Sequence, residues 1–130
     1  MSAVPQYAIS SYRKARECAP QSWMVAALLS GVLTHITEAR NSYLAFKRAD
    51  CVGRIAKATA ILQGLQNNLN REIAPDVTAA LDEFYEINML AISRLPAGGF
   101  DEKEFNGAVA RVTKMRDAWS AISTRDGGPT

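Results

Sequence analysis

The chain has 130 residues, enough for one domain with a workable core and no need of metal or disulfide staples. Hydrophobic residues make up 48% and charged residues 22%, which excludes a disordered chain and argues against a membrane protein. The 15 basic residues are scattered among 13 acidic ones for a net charge of +2, without the concentrated basic footprint of a nucleic-acid binder.

The first twenty residues hold no apolar stretch of the signal-peptide kind. The longest apolar run, residues 23–29, is far short of the ~20 residues that a spanning helix needs. Both observations predict a cytosolic chain without membrane insertion. Cys18 and Cys51 are not in a CxxC arrangement and lack the histidine partners of a zinc site, so reduced thiols are expected.

Residues 1–19 read as an arm with a short amphipathic piece over 7–17, either loosely docked or a single short helix. The spacing predicts a first long helix over 20–47. Pro20 suits its first turn, and Val25, Leu29, Val32, Ile36, Ala39, Tyr43 and Phe46 form its core stripe. Gly31 interrupts the helix and would let a neighbour approach closely. A second helix is predicted over 50–71, capped by Asp50, with Cys51, Ile55, Ala58, Leu62, Leu65 and Leu69 inward. Gly53 and Gly64 weaken it, so it must lean on tertiary packing. The third, over 76–95, lies between Pro75 and Pro96 and repeats Val77, Leu81, Phe84, Ile87 and Ala91. The fourth has the clearest start: Asp101 as N-cap, Glu104 completing a D-x-x-E box, and Phe100 stapled onto Phe105. From there Phe105, Ala108, Val112, Met115, Trp119 and Ile122 keep three-four spacing. The polar tail 123–130 is expected to be disordered. Nothing alternates as a strand would. Short connections then predict an all-α fold: an antiparallel, up-down-up-down four-helix bundle over 20–122 with a short N-terminal helix or arm.

Chemistry is sparse. His35 is the sole histidine, so neither a di-iron set nor a serine triad can be built. Its local run, His35-Ile36-Thr37-Glu38-Ala39, stands against the H-x-x-K-G of histidine phosphotransfer domains, which are also four-helix bundles. Here the lysine position holds an acid that would repel a phosphoryl group. That function stands as the alternative reading. The pair Gly98-Gly99 precedes no phosphate-loop signature, and Glu83 with Glu86 reads as a solvated face. No catalytic residue, cofactor or metal is expected. The surplus is apolar: Ala60, Ile61, Tyr85, Met89, Leu90 and Ile92 lie off the main stripes, and either widen the core or line a groove for an apolar partner.

An arm carrying Tyr7 and Tyr12, the run Ala26-Ala27-Leu28-Leu29-Ser30-Gly31, and a loop ending in Asp50 occur in that order. They are followed by Lys57-Ala58, Ile61-Leu62, Leu65, Leu69-Asn70, then Leu81 with Phe84-Tyr85, and Arg116-Asp117-Ala118-Trp119. This ordered set resembles the FliS family of flagellar export chaperones over nearly the whole chain. The resemblance implies a cytosolic chaperone, not an enzyme. It would bind the C-terminal region of flagellin, prevent its premature polymerisation and deliver it to a component of the flagellar type III export gate, with no cofactor. Homodimerisation is left open. For residues, it implies client contacts from Tyr7 and Tyr12 in the arm, or else staples of the arm onto the bundle. Ile61, Leu65, Tyr85 and Met89 would line the groove, or else belong to the core. Asn70, where the family often has Asp, would bond the client backbone, or simply end a helix.

Overall fold

The computed structural model describes residues 15–96 and 101–125 of the chain. Among these the protein is all-helical. A helical turn at 15–18 precedes four long helices: α1 (Ser22–Leu44), α2 (Arg48–Asn67), α3 (Pro75–Ser93) and α4 (Glu102–Arg125). Helix α1 packs against α2 and α4, and α3 packs against the same two, so all four contribute to one core. The expected arm residues Tyr7 and Tyr12, the staple residue Phe100 and the tail beyond 125 lie outside the described residues.

In α1 the expected stripe of Val25, Leu29, Val32, Ile36 and Ala39 is buried. The ends differ from expectation. Pro20 lies outside the first turn, because Gln21 is the boundary residue and its carbonyl accepts from the Met24 and Val25 N–H groups. At the other end the helix stops at Leu44 and closes with a Schellman turn. The Lys47 N–H donates to the Ser42 carbonyl at 2.8 Å, and the Phe46 N–H to the Tyr43 carbonyl at 3.1 Å. Phe46 takes the left-handed φ of 61° and is 96% exposed, so it leaves the stripe it was expected to complete.

Helix α2 runs from Arg48 to Asn67, shorter at its far end than the predicted 50–71. Asp50 is not its cap but lies in the first turn, where a carboxylate suits the positive end of the helix dipole. Cys51, Ile55, Ala58, Leu62 and Leu65 face inward as expected. Nothing lies within 4 Å of where a Cβ on Gly53 or Gly64 would be, so both glycines look outward and weaken the helix at its solvent face. The expected close approach at Gly31 is only ordinary contact. A Cβ there would meet Ile61 Cδ1 at 3.5 Å.

Helix α3 starts on Pro75, whose missing N–H is no loss in the first turn. Its buried face is rotated from the predicted one: Thr78, Leu81, Tyr85, Asn88, Ala91 and Ile92 are inside, while Ile87 is exposed and Val77 and Phe84 are only half-buried. The inward set keeps the three-four rhythm, but two of its members are polar. Thr78 Oγ1 bonds back to the Ala74 and Pro75 carbonyls, which satisfies it locally. Asn88 Nδ2 likewise donates to the Phe84 carbonyl at 2.7 Å.

The start of α4 is as predicted. Asp101 Oδ1 accepts from the N–H groups of Lys103 at 3.0 Å and Glu104 at 3.3 Å. Glu104 turns instead to Arg94, 3.4 Å away at the end of α3. Phe105, Ala108, Val112 and Trp119 are buried, with Met115 and Ile122 on the margin of the core.

Candidate functional site

Two places gather the residues singled out for partner binding. The first is the α2–α3 side of the common core. Leu65 and Tyr85 belong to the main core cluster, and Ile61 and Met89 pack against its edge. Tyr85 is 1% exposed and meets Phe84 edge-on, with ring centroids 5.4 Å apart. Burial pushes its phenol well above the usual range. Leu65 and Tyr85 therefore form floor, and a partner could touch them only if the side chains above moved. Ile61 and Met89 remain partly open to solvent. Ile61 reaches across the seam toward Gly31, on the same helix as the exposed Met24 and Leu28.

The second place is the junction of the arm with the bundle. Ala15 and Cys18 are buried, and the Cys18 carbonyl accepts from the Asn70 N–H at 2.6 Å. The Asn70 side chain is exposed, and its Oδ1 accepts from the Glu72 N–H at 3.2 Å, shaping the turn before α3. Asn70 thus sits beside Cys18, at the end of the helical turn 15–18. Burial raises the Cys18 thiol, and the Ala74 backbone opposes this by a hydrogen bond. Burial alone raises Cys51. Both thiols are free.

The largest exposed apolar side chains are mostly ones that periodicity did not select. Trp23, Met24 and Leu28 on α1, Val52 on α2, and Ile87 with Leu90 on α3 all face solvent. Their signal was present in α1 as a run that is apolar on every side, 23–29, wider than one core-facing stripe can use. On α2 the outward positions Gly53, Ala56, Ala60 and Gly64 recur at helical spacing, and make a low strip with no side chain over either glycine.

Charged groups tie the seams together. Arg54 on α2 reaches Glu38 at 2.5 Å and His35 Nδ1 at 3.1 Å, both on α1. Arginine only donates, so Nδ1 accepts and the imidazole proton belongs on Nε2. Arg40 joins Glu102 and Asn106 of α4, and Arg71 joins Asp82 of α3. Such exposed pairs each contribute little to stability, on the order of 0–1 kcal/mol, and act mainly as registers between helices. Among the described residues no group of three or more His, Cys, Asp or Glu side chains is placed to hold a metal ion, and no helix is long and apolar enough to cross a membrane.

The family profile described as Flagellar protein FliS matches residues 4–126. The chain belongs to the FliS family. FliS proteins are chaperones of flagellar export, so membership accounts for a helical protein with surplus apolar surface. It leaves the phosphotransfer reading of His35 without support. No protein of curated function matches the chain. Within the FliS framework, the match spans the arm, all four helices and the side of the core that holds Ile61, Leu65, Tyr85 and Met89.

Proposed function

We propose that this FliS family chain acts in the cytosol as the export chaperone of flagellin. It holds the C-terminal segment of flagellin, keeps it from polymerising and delivers it to the flagellar type III export gate. The observation that carries this reading is the outward strip of α2, Gly53, Ala56, Ala60 and Gly64, bordered by Val52 and by the half-open Ile61. An amphipathic client helix gains apolar burial on such a preformed face, and small residues allow its backbone to come close. A disordered client loses entropy as it orders, so the complex is separable at the gate. On this reading the four helices alternate in direction as an up-down-up-down bundle. Support comes from ties between opposite ends: Arg40 near the end of α1 with Glu102 at the start of α4, and Arg94 after α3 with Glu104. Tyr7 and Tyr12 act beside the client from an arm rooted at Asn70, Ile61 and Met89 touch the client, and Leu65 and Tyr85 support them from below.

Calorimetric titration with the C-terminal segment of flagellin, and with the N-terminal segment as control, tests the reading. Saturable binding to the C-terminal segment alone is expected. Ala60→Glu should weaken it by tenfold or more, about 1.4 kcal/mol, with melting unchanged. Binding to neither segment sinks the chaperone assignment for this client. Binding that ignores Ala60→Glu moves the client off α2.

A further inference from the structure

Phe46 contributes nothing to the folded chain that a smaller residue would not improve. It holds the position after the helix cap where glycine costs nothing and a Cβ is penalised. At 96% exposure no packing offsets that strain. Leu44, one residue before the cap, is 59% exposed. Lys47 and Arg48 follow directly, and neither forms an ion pair among the described residues. The same holds for Lys57, whereas Arg40 and Arg54 are neutralised by Glu102 and Glu38. A depression of about 430 Å³ opens beside the loop, lined by Ser42, Ala49, Asp50, Gly53, Arg54 and Lys57. This end of the bundle therefore combines an aromatic held outward, a second exposed apolar side chain, and three unpaired cations against one unpaired acid, Asp50.

We propose that the α1–α2 turn is a second docking surface, for an acidic protein segment that lays apolar side chains against Phe46 and Leu44 and sets carboxylates against Lys47, Arg48 and Lys57. Charge selects this occupant over the others. Residues 1–14 of the chain carry Arg13 and Lys14 and no acid, so they are repelled. A second copy in a two-fold contact would bring the same cations together. A lipid surface calls for a longer amphipathic stretch than the two apolar side chains offered here. A single desolvated aromatic with a charged rim is the usual anatomy of a protein hot spot. The surface is independent of what the α2 strip binds, although the two meet at Gly53.

The test is a nitrogen-15 NMR titration of the full chain with a synthetic peptide alternating glutamate and leucine. Its lysine counterpart serves as control. Phosphatidylglycerol vesicles and sedimentation of the protein alone cover the other occupants. The acidic peptide should shift the amides of residues 44–48, 54 and 57, and Phe46→Gly or Lys47→Glu with Arg48→Glu should weaken it about tenfold or more. Phe46→Gly relieves the backbone and should melt no lower than the parent, so loss of binding is not loss of fold. It should leave the affinity for the flagellin segment within about twofold, and Ala60→Glu should leave the acidic peptide unaffected. No binding of the acidic peptide, equal binding of the lysine peptide, or binding to vesicles alone overturns the proposal. So does a dimer that Phe46→Gly abolishes, or a parallel loss of flagellin binding in Phe46→Gly.

Discussion

Arg111 on α4 donates through Nε to the Oδ1 of Asn88 on α3 at 2.9 Å, and so satisfies the one fully buried amide of the described core. With Nδ2 bonded to the Phe84 carbonyl, Asn88 has a partner on each side and joins the two helices through a polar contact. Asn88→Ala removes both bonds and leaves a small void. It should lower stability by about 1–3 kcal/mol in urea unfolding. An unchanged midpoint would mean that α3 is rotated and Asn88 faces water.

Two helical glycines predict the opposite sign. Gly53→Ala adds a methyl to open space, and Gly31→Ala meets Ile61 Cδ1 at ordinary contact distance. Each should stabilise the protein by up to ~1 kcal/mol through helix propensity, read as a rise in melting temperature. A fall for Gly31→Ala would show that α1 and α2 approach more closely than described.

Trp119 is fully buried, and its Nε1 finds no hydrogen-bond partner among the described residues. Its contribution is therefore packing. Trp119→Ala should cost ~3–5 kcal/mol, and Trp119→Phe much less, because no hydrogen bond is lost. Equal losses in the two variants would point to a partner for the indole N–H.

The buried thiols predict a pH dependence. Burial raises Cys18 and Cys51 above the ordinary thiol range. An acid whose folded pKa is raised holds its proton longer when folded, so its contribution is intact below the unfolded value. It is lost as pH rises beyond about 8.5, where the unfolded thiols ionise. Unfolding free energy should decline across the alkaline range, and Cys18→Ser with Cys51→Ala should flatten that decline. Iodoacetamide should label both thiols slowly in the folded chain and quickly in urea.

Local chemistry was the part most legible in advance. The Asp101 cap depends on neighbours within four residues and lies where the letters put it, whereas Pro75, expected just before α3, forms part of its first turn. The inward stripes of α1, α2 and α4 were readable because their members are apolar at regular spacing. The face of α3 was misread because Thr78 and Asn88 look like solvent positions, and only their carbonyl and Arg111 partners make burial tolerable. Phe46 was misread because periodicity does not see where a helix closes. Among the proposed contact residues, Tyr85 and Leu65 could not be told from core by pattern, since a wide apolar stripe and a groove use the same letters.

Periodicity, capping and the order of motifs along the chain were enough for the helical class, the four long helices, the stripes of α1, α2 and α4, and the family. Tertiary structure alone decided which apolar side chains stay outside. Burial depends on what the neighbouring helix presents. Ile87 and Ala91 lie four residues apart on one side of α3, yet Ala91 is buried and Ile87 is 44% exposed. It likewise brought the arm to Asn70 and Arg54 to His35, contacts across seams that no local spacing encodes.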